Sequence, residues 1–190
     1  MELVLVILFV GVAIGYARGG RLGHLEHAPI RFLFLIILGF ALRFLSESPD
    51  AFSSGILASI PNGPAVANIL GFFCVLGFCL ANLRLPGMRL GSIGAILNTL
   101  TVVVNGGKMP FQIAWAERVG SARTLIANAR AGAPHIPDTY SAPLWFFGDW
   151  IPAPGLHLTK LVSIGDILVF IGVAYLIEEL MVAKPPAGEE

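Results

Sequence analysis

The chain has 190 residues, of which 56% are apolar and 13% charged, and its 12 basic and 12 acidic side chains cancel to a formal net charge of zero. Soluble domains are about 25% charged, whereas no charge occurs here between Ala65 and Leu83. The balance excludes a disordered tail, a nucleic-acid binder held by a basic surface and a soluble single-core enzyme. It points to an all-α protein, a polytopic membrane helical bundle.

About 20 apolar residues carry a helix across a bilayer, with roughly 17–25 tolerated. Five segments read as spans: 3–19, where Arg18 can snorkel; 30–45, flanked by Arg31 and Arg43; 65–83; 90–105, with Asn98 inside; and 161–182, with Asp166 near its start. The piece from Ala51 to Ile60 holds three serines and meets Pro61, so it reads as interfacial. Met1 and Glu2 offer no basic leader and no small-x-small site precedes Arg18, so the first span is expected to be retained. Residues 1–182 then form one integral membrane domain and 183–190 a flexible tail.

Gly11, Gly15 and Gly19 recur every four residues and place small side chains on one helix face, a pattern for close helix packing in lipid. If five spans alternate, Arg18, Arg21, Arg31, Arg84, Arg89 and Lys184 fall on one side. That side is expected to be cytoplasmic, with the N-terminus and the segment 106–160 outside. Cys74 and Cys79 lie about 140° apart around one helix and cannot bridge each other.

Within the outer segment, Trp115, Val119, Ala122, Leu125 and Ile126 pattern Phe111–Ala131 as an interfacial helix lying on the membrane. Five prolines from Pro134 to Pro154 then forbid a continuous helix. The aromatic run Leu144–Ile151 between them suits a membrane-interface belt, with a substrate-binding lip as the alternative.

Polar groups in apolar spans ask for partners. Asn68, Cys79 and Asn82 form one stripe on the third span, and Asn98, Thr101 and Asn105 another on the fourth. They read as amides hydrogen-bonded from helix to helix, with a polar channel as the alternative. Asn105-Gly106-Gly107-Lys108-Met109-Pro110 reads as a helix stop; its open glycine N–H groups beside Lys108 would otherwise suit an anion. Ser163-Ile164-Gly165-Asp166 has the form of a capping box. The catalytic alternative pairs Asp166 with Asp149 as two carboxyl groups, one protonated and one ionised, that activate water. His24, His27, His135, Asp138, Asp149 and His157 make no short ligand spacing, so no metal or other cofactor is expected.

The stretches from Leu97-Asn98 to Pro110, Phe147-Gly148-Asp149-Trp150-Ile151-Pro152 and Ser163-Ile164-Gly165-Asp166-Ile167-Leu168 together resemble an uncharacterised bacterial family of small polytopic membrane proteins, a domain of unknown function. The resemblance implies a bacterial cytoplasmic membrane and no particular activity. The placing of Asp149 in a loop and Asp166 at the start of the last helix is also similar to lipoprotein signal peptidases, which are membrane aspartyl enzymes. On the residues themselves, a non-enzymatic membrane component is expected, with the lipid bilayer and partner membrane subunits as partners. An aspartyl membrane hydrolase using Asp149 and Asp166 is the first alternative and a small-molecule transporter the second.

Overall fold

The computed structural model describes residues 2–54, 56–138, 140–155 and 158–183. Seven α-helices are present there: α1 Glu2–Ala17, α2 Leu33–Ser46, α3 Gly63–Ala81, α4 Met88–Val104, α5 Ile113–Arg118, α6 Ala122–Arg130 and α7 Ile164–Val182. The five long ones coincide with the five apolar segments. By length and composition, one of them, α3, is long and apolar enough to cross a membrane, while Leu5–Ala17, α2 and α4 are shorter apolar helices. α7 has 19 residues but carries Asp166, Glu178 and Glu179. Between Ala51 and Ile60 there are only 3-10 turns, within Pro49–Phe52 and Ile56–Ser59.

Glycine sets how the long helices meet. A side chain at Gly39 would collide with Gly71, and one at Gly71 with Gly39 and Arg43, which brings α2 and α3 together backbone to backbone. Gly87, the N-cap of α4, lies against Gly172, and Gly94 within α4 lies against Gly165, both on α7. These pairings run α2 against α3 and α4 against α7 in opposite directions. Gly11 faces Ala174 and Ile177, and Gly15 faces Met181, so α1 runs parallel to α7 and takes the place beside it.

The third glycine of the expected α1 stripe does otherwise. Gly19 has a left-handed φ of 81° and nothing near it. Its N–H bonds to the Tyr16 carbonyl and that of Gly20 to Gly15, the two bonds of a Schellman stop. It therefore ends α1, and Gly20 makes the next contact with Met181.

The exterior of the long helices is apolar and polar side chains lie among the buried ones, beside a core of Phe78, Met88, Ala95 and Leu176. Asn68, Asn82, Ser92, Asn98, Thr99 and Thr101 are buried, while Phe9 and Phe44 are 72% and 73% exposed and Ile37, Leu70, Phe73, Ile93, Ile96 and Ile171 also face outward.

Segment 106–160 departs from the all-α expectation and forms a mixed cap. β1 Met109–Gln112 pairs in parallel with β2 His135–Asp138, and β3 Ile151–Gly155 pairs antiparallel with β4 Leu158–Val162. The expected single interfacial helix is two short ones, because Gly120 turns left-handed (φ 76°) between them. Trp115, Val119, Ala122, Leu125 and Ile126 do share one side, but they pack on Phe111, Ala116 and Leu161 as a small core of the cap. The aromatic run folds on itself, with ring centroids of Tyr140 and Trp145 at 4.7 Å and of Phe146 and Phe147 at 4.5 Å.

Candidate functional site

The cap is tied to one end of the helices by the amides of both polar stripes, which do not bond to each other. Asn68 Nδ2 donates to the Gly107 carbonyl at 2.9 Å, and Asn105 Nδ2 donates to Thr101 and to Pro143, each at 2.8 Å. At the opposite end of α3, Asn82 accepts from the Arg31 N–H at 2.8 Å and donates to its carbonyl at 2.9 Å. Asn68, Asn82 and Asn105 thus each hold a loop against a helix, whereas Asn98 bonds across to the start of α7. A neighbouring loop offers an unpaired peptide group, whereas a neighbouring helix has already spent its own on the i to i−4 ladder.

The Asn105–Pro110 segment holds the helix stop. Gly106 and Gly107 take φ of 64° and 88°. Their N–H groups go to Val103 and Val102 and that of Lys108 to Asn105, so none is left for an anion.

At the start of α7 the capping box is complete. Asp166 N–H donates to Ser163 Oγ at 2.9 Å, and Ser163 N–H donates to Asp166 Oδ2 at 3.2 Å. Asn98, 2% exposed, closes the set across the α4 contact. Its Nδ2 donates to Asp166 Oδ1 at 2.7 Å, while its Oδ1 accepts from Ser163 Oγ at 2.8 Å. Asp166 Oδ1 therefore helps hold α7 to α4, while its Oδ2 caps α7 itself. Gly165 makes room for this, since a side chain there would strike Asn98.

Asp149 reaches the same region from the cap. Its N–H donates to Pro110 at 2.8 Å and its carbonyl accepts from Gln112 at 3.0 Å, a bridge that sets it opposite Phe111. Paired residues share a face of a sheet and successive ones alternate, so Asp149, Phe111, Met109 and His135 look the same way. The Phe111 and His135 rings accordingly meet edge to face at 6.4 Å.

The Asp149 carboxyl makes no hydrogen bond among the described residues and none to Asp166. Enclosure foremost, then the charge of Asp166, push it up to about 7, against the pull of His135 and Arg43. Burial alone would lower His135, but its Nε2 lies 2.9 Å from Glu47 Oε1 and that carboxylate raises it above its ordinary value. Arg43 completes the group, its guanidinium 3.9 Å above the Phe72 ring.

On the other face of β1 and β2, Gln112 Nε2 donates to Asp138 Oδ2 at 2.9 Å. Asp138 Oδ1 also accepts from Ser141 N–H and Oγ and from Ala142 N–H. Burial would raise the Asp138 carboxyl, yet these bonds bring it below its usual range.

The structure thus gathers Asn98, Ser163, Asp166 and Asp149 at one end of the helices, with Asn105 tying the cap beside them. Gly106, Gly107 and Pro110 serve as backbone there. Gly11, Gly15 and Gly19 lie elsewhere, along and beyond α1. Glu47 and Gln112 go unread in the sequence, and Arg43, His135 and Asp138 read there only as a span flank and scattered polar groups, because their partners lie on other elements and no spacing announces them. Among the described residues no group of three or more His, Cys, Asp or Glu side chains is placed to hold a metal ion, and His157 lies outside them.

Apolar-faced helices joined through glycine, under a cap that encloses an unpaired carboxyl, define a small, mostly helical protein with an acidic site at one end. The chain belongs to the DUF5317 family, a family of unknown function, whose profile matches residues 27–178. The match takes in every residue of the acidic site and leaves out α1. An uncharacterised protein of Thermotoga maritima is 37% identical over 105 residues, 55% of this chain and 58% of that protein, so the matched stretch spans less than two thirds of the relative. No solved structure matches the chain.

Proposed function

We propose that the chain is a five-span protein of a bacterial cytoplasmic membrane, acting as a non-enzymatic membrane component that binds lipid or partner subunits, with its cap outside. The carrying observation is the apolar exterior, with large apolar side chains outside on all five long helices while amides and hydroxyls are among the buried groups. Water would not tolerate so wide an apolar surface, whereas lipid requires it. The order of the helices agrees. Alternation puts the segments bearing Arg18, Arg21, Arg31, Arg84 and Arg89 at the end away from the cap, where Arg18 pairs with Glu178 and Glu179 at 2.5 and 2.7 Å. The glycine faces are spent on internal contacts, so partners meet the apolar belt or the cap.

Asp166 supports a structural role for the acidic site, since both of its oxygens are committed to the cap of α7 and to Asn98. One observation favours the second reading, an aspartyl membrane hydrolase: Asp149 is pushed up to about 7, by burial foremost and then by the Asp166 charge. A carboxyl that keeps its proton near neutrality can serve as a general acid or base.

One comparison separates the two readings. Asp149→Asn is expected to leave the stoichiometric lipid or subunits that co-purify in mild detergent, and the cellular phenotype, unchanged. Loss of the phenotype by a folded Asp149→Asn variant, with co-purification intact, would overturn the first reading in favour of the second.

A further inference from the structure

A groove of about 210 Å³ on the cap is lined by Lys108, Ala129, Arg130, His135, Ile136 and Pro137. It lies outside the acidic site, although His135 borders both. Three features distinguish it from an ordinary basic surface. Lys108 and Arg130 come from different elements, the end of the α4 stop and the last turn of α6, and converge on one concavity. Neither has an acidic partner among the described residues. The third wall is His135, whose Nε2 is occupied by Glu47 while its buried Nδ1 has no hydrogen-bond partner among those residues.

The charged groups facing His135 are Glu47, Asp149 and Arg43. Glu47 favours the protonated ring, and a protonated ring carries an Nδ1–H with nothing to give it to. Two unpaired cations converging on one groove, walled by an imidazole that Glu47 biases toward its charged form, match the charge of a phosphate group.

Depth supplies the last constraint. Val103 and Val104 end α4 with exposed apolar side chains, and Lys108 follows four residues after Val104. On the membrane reading, which this step rests on, that is where hydrocarbon gives way to headgroups.

We propose that the groove formed by Lys108, Arg130 and His135 binds a phosphate group, presented by an anionic phospholipid headgroup at the outer surface or by a free phosphate.

Native mass spectrometry of the full chain in mild detergent tests this with three probes: phosphatidylglycerol, phosphatidylcholine and inorganic phosphate. Phosphatidylglycerol is expected to bind at least five-fold better than phosphatidylcholine. Lys108→Ala/Arg130→Ala should remove most of that preference, while Arg123→Ala, an exposed change on the same α6, should keep it. Lys108→Met alone, expected to lose part of it, serves if the double variant does not fold. Binding of inorganic phosphate that the same variants abolish, without a preference for phosphatidylglycerol, assigns the site to a free anion. Equal binding of every probe by the wild type and the groove variants overturns the proposal. Whether the wild-type chain needs detergent to leave the membrane checks the underlying reading separately.

Discussion

At the residue scale, Asp149 and Asp166 are both acids near one spot and differ in everything else. Asp166 receives hydrogen bonds on both oxygens and completes a helix cap, whereas Asp149 receives none. An enclosed carboxyl without donors favours its protonated form, and the sign of the resulting pH dependence follows. Folded Asp149 holds its proton up to about 7, while the unfolded chain releases it near the ordinary carboxyl value of 3.8. Asp149 therefore costs no stability below that value, and stability falls as pH rises from there to about 7. His135, raised in the folded state, contributes stability that is likewise lost as pH rises through its folded value. Asp138, lowered, contributes the opposite slope and loses its contribution on acidification. Asp149→Asn is expected to flatten the decline between pH 4 and 8 and to raise the melting temperature at pH 8. Thermal denaturation in detergent across that range measures it, and a variant curve parallel to the wild type contradicts the assignment.

The capping box was readable in the sequence because all of its atoms lie within Ser163–Asp166. Its fourth member, Asn98, is 68 residues from Asp166. Only the fold brings them together, so the sequence could mark Asn98 as a polar group needing a partner without saying which.

At the scale of elements, the same division holds. Five helices were legible because apolar length and the absence of charge are local properties. The four strands were not. They run four or five residues, and β1, β2 and β3 contain proline, which ordinarily argues against a strand. β1 and β2 pair across 26 residues with α5 and α6 between them, so their partners, not their own pattern, make them strands. The glycines show a related limit. The four-residue spacing on α1 was visible, whereas the Gly94–Gly165 and Gly39–Gly71 contacts join helices whose pairing no spacing reveals.

Gly94 faces the Gly165 backbone, which cannot yield as a flexible side chain would. Gly94→Val is therefore expected to push α4 and α7 apart and to cost about 1–3 kcal/mol, the usual penalty for overpacking. Gly106→Ala tests a different property, because the site is open in space but left-handed in φ. Its effect is expected to be about 1 kcal/mol, from backbone conformation alone. Comparative unfolding in mild detergent ranks the two, and a Gly94→Val variant no less stable than Gly106→Ala would contradict the packing order.

At the scale of the whole molecule, the reading of five spans makes a prediction about sidedness. With Cys74 and Cys79 replaced by alanine, single cysteines at Asp50 and Arg123 are expected to react with a membrane-impermeant maleimide from the outside. Cysteines at Leu22 and Arg84 should react only after permeabilisation. Labelling of all four from one side would remove the membrane-spanning arrangement, and labelling in the reverse sense would invert it. The tail from residue 184 lies outside the described residues, so its cytoplasmic placement follows from the same experiment with a cysteine at Lys184.

The parallel packing of α1 on α7 also bears on how the molecule is made. The ion pair between Arg18 and Glu178 spans 160 residues, so α1 is made well before its main helical neighbour, α7. At cellular rates of about 5–20 residues per second, that delay is roughly 8–30 seconds. During it, Gly11 and Gly15 of α1 are bare, while α2, α3 and α4 can already associate through Gly39, Gly71 and the buried amides. The nascent chain is thus a three-helix unit with a detached α1. Its seam closes when α7 inserts between α1 and α4, and a second nascent copy nearby would offer that same helix to the wrong chain.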